Sequence, residues 1–261
     1  MRPVELLIGW LMDLLFGDPA PHPVAGIGRL IAWLDARLPR HRSAGIFLLV
    51  LVAGGTWAAS WGVVALAARL HPFLGVLASG VLFFSAMALR TLDREARAVA
   101  QALASGDLPA ARRQVSHLVG RDTGALDGAG VARAAVESVA ESSVDGVTAP
   151  LFFAALGGGP LAMAYRAVNT LDSMVGHKDA RHRDIGWASA RLDDLLNWVP
   201  ARLTGGLLVL SASLCGENAG GGWRVSRRDR LKHASPNAGH PEAAVAGALG
   251  LRLGGPLSYG G

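Results

Sequence analysis

Long uncharged stretches alternate along the chain with short, densely charged ones. Positions 44–68 hold no charged residue, and neither do positions 73–89. At ~1.5 Å of rise per helical residue, the first stretch is long enough for a ~30 Å hydrocarbon core, and the second sits at the short end of the spanning range. The break at Arg69-Leu70-His71-Pro72 predicts that the two form a transmembrane hairpin over about 44–89. A third uncharged stretch, 147–164, contains Pro150, Gly157-Gly158-Gly159 and Pro160. A straight helix does not pass comfortably through that centre, so a broken or re-entrant segment buried in protein is expected. Positions 203–215 are apolar but marginal as a span of their own.

The remaining segments read as amphipathic helices and turns. A first helix ends at Gly17-Asp18-Pro19, and Asp13 within it argues for an uncleaved interfacial helix. A second runs from about 26 to 38, with Ile27, Leu30, Ile31 and Leu34 on its apolar side. Helices over 91–104, 110–119 and 127–142 make 90–146 a polar helical hairpin. Gly216 to Gly222 reads as loose chain, and the 216–261 segment then carries Arg224, Arg227, Arg228, Arg230 and Lys232. That basic run is solvated, headgroup-contacting or phosphate-facing. Ser235 to Pro241 is a turn that caps a helix starting near Glu242.

Composition fixes the class. Hydrophobic residues make up 51% and charged residues 17% of 261 positions, where a soluble domain carries about 25% charge. The fold expected is all-α, a polytopic integral membrane helical protein forming one membrane domain over 1–261. The formal net charge of +5 is spread as arginine beside apolar segments, which argues for membrane and phosphate contacts and against nucleic acid. Arg37, Arg40 and Arg42 precede the hairpin and Arg90, Arg94 and Arg97 follow it, with Arg69 alone between. The positive-inside rule puts both flanks in the cytoplasm. The single cysteine, Cys215, excludes a disulfide and is expected in the core. Trp187, Trp198 and Trp223 read as interfacial anchors.

Chemistry concentrates between Glu137 and Arg202. Glu137, Glu141 and Asp145 recur every four residues, which lines three carboxylates along one helical face. Such a set calls for a cation, and these three are the candidate metal ligands. The polar segment 165–202 follows with Arg166, Asn169 and Asp172, then His177-Lys178-Asp179 and Arg181-His182-Arg183-Asp184, then Arg191, Asp193, Asp194 and Asn197. Lys178, Arg181 and Arg191 suit phosphate oxygens. His22, held between two prolines, suits phosphate binding, proton transfer or capping of the next helix, and His240 before Pro241 has the same options. Asp172, Asp193 or Asp194 would serve as a base if its pKa were raised. No P-loop, G-x-S-x-G elbow, H-E-x-x-H or dinucleotide fingerprint occurs. Carboxylates with cations remain, the parts of Mg²⁺-assisted phosphoryl transfer.

GDPAPHPVAGIGRLI, ALRTLDREA, the long ESVAESSVDG…NWVPARLT segment and SPNAGHPEAAVAGALGLRLGGP resemble the CobD/CbiB family, in the same order and over nearly the whole chain. These are adenosylcobinamide-phosphate synthases of cobalamin biosynthesis. The resemblance implies a multi-pass protein of the cell inner membrane with a cytoplasmic polar site. It implies an ATP-linked ligase that joins adenosylcobyric acid to (R)-1-amino-2-propanol or its O-phosphate, with ATP and Mg²⁺ as cofactors. Partners would be those substrates and the lipid bilayer, with a homo-oligomer allowed. Catalytic roles would fall to Asp172, Lys178, Asp193 and Asp194, and substrate or phosphate contacts to His22, Arg166, Asn169, His177, Arg181, Arg191 and Asn237. The chain departs from the family pattern at Glu141-Ser142, where the family has Glu-Asn. A membrane sensor of the same superfamily and a small-solute transporter are the competing readings.

Overall fold

A computed structural model of the chain describes residues 2–18, 22–120, 122–177 and 179–254. It is helical throughout, with no strand among the described residues, as the apolar and amphipathic periodicities require. Three helical runs, Arg42–Leu70, Pro72–Ala104 and Gly128–Val175, are long and apolar enough to cross a membrane, and the interrupted pair Trp187–Leu196 and Trp198–Leu214 offers a fourth. The chain is an all-α polytopic membrane protein. All seven tryptophans are exposed, Trp187, Trp198 and Trp223 among them.

The chain divides into two compact units, Met1–Ala88 with Asp145–Asn197 and Leu89–Val144 with Trp198–Gly261. In the first, α1 (Arg2–Phe16), α2 (Pro23–Asp35), α3 (Arg42–Leu49), α4 (Gly55–Leu70) and α5 (Pro72–Ala86) precede α9 (Ala149–Val175) and α10 (Trp187–Leu196). A wider π-helical turn, Val50–Gly54, joins α3 to α4. The expected hairpin is present: α4 and α5 pack on each other across a turn at His71. His71 Nδ1 accepts the Phe73 N–H at 3.2 Å and Pro72 fills the first helical position, so the turn supplies both a cap and a helix start.

Helix α9 is the hub of this unit and packs against α1, α2, α4, α5 and α10. The break expected in 147–164 falls at Gly158, whose φ of 73° is a left-handed conformation that suits glycine. The backbone N–H of Gly159 there donates to Ser79 Oγ on α5 at 2.9 Å. Ser79 in turn donates to Glu5 Oε2 on α1 at 2.7 Å, and Arg2 pairs with the same oxygen at 3.3 Å. The kink is therefore satisfied by a polar chain reaching to the first helix. Beyond it, Ala167, Leu171 and Val175 form a buried core with Ile31 and Leu34 of α2, Leu48, Val52 and Ile185.

The second unit contains α6 (Leu89–Ala104), α7 (Leu108–Val115), α8 (Gly128–Ser143), α11 (Trp198–Leu214), α12 (Ala219–Asp229) and α13 (Gly239–Leu249). Helices α6, α7 and α8 share a core of Val99, Ala111, Val115, Val131 and Ala134. Asp107 and Asp127 accept backbone N–H groups at the starts of α7 and α8.

Three expectations in this unit need correction. Gly216 to Gly222 is not loose throughout: α12 starts at Ala219, capped by Asn218 Oδ1, which accepts the Gly221 N–H at 2.7 Å. The glycines serve packing, because a Cβ on Gly221 would run into the Gly247 carbonyl oxygen of α13. Helix α13 begins at Gly239 rather than at Glu242. Cys215 is exposed, not in the core, because α11 ends at Leu214 and Gly216 turns the chain outward at φ 78°.

Candidate functional site

The first unit gathers a polar cluster at the α9–α10 contact, fed by the turn before α9. A second π-helical segment, Val144–Thr148, links α8 to α9 and carries Asp145. Arg166, Asn169 and Asp172 follow on α9 at spacing three, which keeps them on one side of the helix. Asp193 lies on α10 and Asn197 caps its end.

These side chains interlock. The Tyr165 hydroxyl donates to Asn197 Oδ1 at 2.9 Å and lies 3.3 Å from Asp145 Oδ1. Asn197 Nδ2 donates to Asp193 Oδ2 at 2.9 Å, and Asn169 Nδ2 approaches Asp193 Oδ1 at 3.4 Å. Arg166 Nη1 reaches the Asp145 carbonyl at 3.3 Å and Asn169 Oδ1 at 3.4 Å. Tyr165, Asn169, Asp193 and Asn197 are buried, while Asp145, Arg166 and Asp172 are half-buried. Tyr165 also stacks on Phe153 with ring centroids 5.0 Å apart, which fixes its hydroxyl in direction. Arg166 Nε is buried without a hydrogen-bond partner. A buried carboxyl held by two amide donors beside a guanidinium with a spare N–H is a receptor for a polar, anionic group.

A second group lies at the end of α2 and in the 179–184 turns. Asp35 accepts from Arg40, from Arg181 Nη2 at 3.0 Å, and faces His182 Nε2 at 3.9 Å. Burial raises the Asp35 pKa, but the Arg40 hydrogen bond and charge, with His182 and Arg181, outweigh it and hold the carboxyl below its ordinary value. His182 Nδ1 lies 2.9 Å from Asp179 Oδ2, and that bond lowers the pKa of Asp179. Arg42 and Asp184 pair at 3.4 Å.

Of the residues singled out from sequence, Asp145, Arg166, Asn169, Asp172 and Asp193 share the α9–α10 cluster, with Asp194 half-buried beside Asp193 on α10. Arg181 is engaged by Asp35. His177 is exposed, with its ring edge-on to that of His182 at 6.0 Å. Arg191 is exposed on α10, and Lys178 lies outside the described residues. His22 is the N-cap of α2: its Nδ1 accepts the Val24 N–H at 3.2 Å. Burial lowers its pKa, Asp18 opposes that and Arg166 adds to it, so the ring is neutral and keeps an acceptor nitrogen for the cap.

Glu137, Glu141 and Asn237 belong to the second unit. Glu137 Oε1 accepts the Gly254 N–H at 2.6 Å, Glu141 is exposed on α8, and Asn237 Oδ1 faces Arg202 at 3.4 Å. Among the described residues no group of three or more His, Cys, Asp or Glu side chains is arranged to hold a metal ion. The expected Glu137/Glu141/Asp145 triad therefore does not form such a group: Asp145 sits past the end of α8, in the π-helical segment, where the regular four-residue register no longer holds. Sequence reading missed Tyr165, Asp35 and Arg40. Tyr165 passes as an apolar residue, and Asp35 meets Arg181 from 146 positions away.

Comparison with known proteins agrees with the resemblance read from the residues. The model of the CobD/Cbib protein family matches residues 6–261. The cobalamin biosynthesis protein CobD of Geobacter metallireducens is 53% identical over 260 residues, covering 97% of this chain and 82% of the relative. CobD of Klebsiella pneumoniae is 52% identical over 262 residues, and CbiB of Salmonella choleraesuis 49% over 264, each again with 97% and 82% coverage. No solved structure matches the chain. With its sequence aligned to that family from residue 6 to its last residue, the chain belongs to the CobD/CbiB proteins.

Proposed function

We propose that this chain forms an amide bond on a corrinoid, joining a carboxyl group of adenosylcobyric acid to (R)-1-amino-2-propanol or its O-phosphate at the expense of ATP. Family membership supports a role in cobalamin biosynthesis. The observation that carries the finer reading is the α9–α10 cluster, in which buried Asp193 is clamped by Asn169 and Asn197 beside half-buried Asp172, Asp145 and Arg166.

A carboxylate is a poor acyl donor. Transfer of the ATP γ-phosphoryl group to it gives an acyl phosphate and ADP, and the amine then displaces phosphate to leave the amide. The magnesium ion enters with ATP as a substrate complex, since the described residues offer no metal cage. In this reading Arg166 directs its spare Nε–H at a phosphoryl or carboxylate oxygen. Asp193, with both oxygens held by amides, orients the wall of the site. Asp172 takes the proton that the amine loses as the new bond forms. The site lies at the cytoplasmic face of the inner membrane, where a large amphipathic corrinoid and soluble ATP meet.

The test is direct. Purified protein is incubated with adenosylcobyric acid, the amine or its phosphate, ATP and Mg²⁺, and the corrinoid mass is followed. A mass gain equal to the amine minus water, with ADP formed in step, is expected. Asp172→Asn is expected to lower turnover by about 10²-fold or more with the fold intact. No product from folded wild-type protein, or wild-type turnover in Asp172→Asn, would sink the reading or the role respectively.

A further inference from the structure

The second unit holds a cavity of about 400 Å³ between α11, α12 and the start of α13. Arg202, Trp223, Ser226, Arg227, Arg230 and His240 contribute to its wall, and no carboxylate does. The acids nearby in sequence are occupied elsewhere. Asp229 pairs with Arg228 at 2.7 Å and with Lys232 at 2.6 Å, and Glu242 faces His233 at 3.8 Å. Three guanidinium groups thus line one small space without a balancing charge, an arrangement that repels itself unless an anion enters.

Two further atoms on that wall lack what they need. Ser226 Oγ and His240 Nε2 are both buried and have no hydrogen-bond partner. Buried polar atoms in folded proteins are nearly always paired, so two orphans on one cavity wall mark a missing ligand atom. The arginines are only partly committed. Arg202 Nη1 is held by the Trp198 and Asn237 oxygens, and Arg230 Nη1 by the Ser226 and Arg227 carbonyls. Each guanidinium has five N–H donors, so both keep donors for a ligand. His240 points the same way: burial, then Arg202 and Arg230, lower its pKa, so the ring is a neutral donor rather than a third competing cation.

We infer that this cavity is a phosphate site, in which Arg202, Arg227, Arg230, Ser226 and His240 bind a phosphoryl group carried on a small organic residue. Arginines pair with phosphate oxygens through two parallel N–H bonds, and serine and histidine add single donors. The volume exceeds what one phosphate ion fills and matches a small ester. The exposed Trp223 and the apolar α11 flank the cavity, so the same chemistry suits either a soluble phosphate ester or the headgroup of a phospholipid. The inference rests on these residues alone and makes no use of the amide-forming reaction.

Binding, not turnover, tests it, so its failure would leave the proposed reaction standing. The intact protein in neutral detergent is titrated calorimetrically with inorganic phosphate and with glycerol 3-phosphate. In parallel, native mass spectrometry counts phosphatidylglycerol retained against phosphatidylcholine. Saturable binding of glycerol 3-phosphate, or selective retention of phosphatidylglycerol, is expected in the wild type. The first outcome assigns a soluble ester and the second a lipid headgroup. Arg227→Gln, an exposed residue, is expected to weaken that binding about tenfold, the effect of one charge-assisted hydrogen bond. His240→Gln, read against its unfolding temperature, provides the second variant. No saturable binding of any probe, or wild-type affinity in Arg227→Gln, overturns the site.

Discussion

Replacing Tyr165 by Phe removes a single oxygen from the centre of the α9–α10 cluster and leaves the ring stacked on Phe153. The lost interaction is the bond to Asn197 Oδ1 at 2.9 Å, and the loss leaves that buried acceptor without its donor. In water-soluble proteins an orphaned buried acceptor costs about 1–3 kcal/mol. Hydrogen bonds inside membrane proteins average nearer ~0.6 kcal/mol and reach ~1.7, because the unfolded chain in lipid also finds partners. A cost of about 1 kcal/mol is therefore expected, which lowers the unfolding temperature by about 2–4 °C for a chain of this size. The assay is thermal unfolding of the protein in detergent for wild type, Tyr165→Phe, Asn197→Leu and the double variant. Asn197 also holds Asp193, so its own substitution costs more. The cycle isolates the shared bond and should return a coupling of ~0.5–1 kcal/mol. A coupling indistinguishable from zero, with the Tyr165→Phe unfolding temperature unchanged, would refute the claim that this hydroxyl ties α9 to α10.

Three further outcomes follow from contacts described above. His22→Asn should unfold like wild type, because Asn also caps, whereas His22→Ala should lose about 0.5–2 kcal/mol; lost turnover in a stable His22→Asn would give the imidazole a role beyond its cap. Gly221→Leu should destabilise by about 1–3 kcal/mol, measured by the same thermal assay, since its side chain has to displace the Gly247 carbonyl on α13. Asp35 has a folded pKa below the ordinary 3.8, so the stability it contributes is present above that value and is lost as pH falls through the lowered one. Asp35→Asn should flatten the unfolding midpoint against pH in that acid window and lower it at neutral pH by about 1–2 kcal/mol, a buried-pair cost discounted because Arg181 is well exposed; an unchanged profile would remove Asp35 from the account.

The sequence made some of this legible and hid the rest for physical reasons. Pro72 and Pro23 mark helix starts because proline fits only there, and each follows a histidine that caps. The Gly157–Pro160 run announces a break because no regular helix is comfortable through it. Asp193 and Asn169 could be picked out as polar residues among apolar neighbours, but their pairing depends on how α9 meets α10, which spacing does not encode. The glycines at 220–222 were misleading because the same residue serves loops and tight helix crossings, and only the partner helix decides which. Asp35 gave no signal at all: its partners Arg40 and Arg181 look like ordinary flanking charge until the chain brings them together.

The kink at Gly158 bears on how the chain assembles. Its backbone amide depends on Ser79, and Ser79 on Glu5, so a helix made first during synthesis is secured by a residue made about 150 positions later. Until α9 arrives, Glu5 and Ser79 lack one of their mutual supports. The N-terminal helix should accordingly settle late, as a latch and not as a foundation, and truncating it should loosen α9 at its midpoint while sparing both ends.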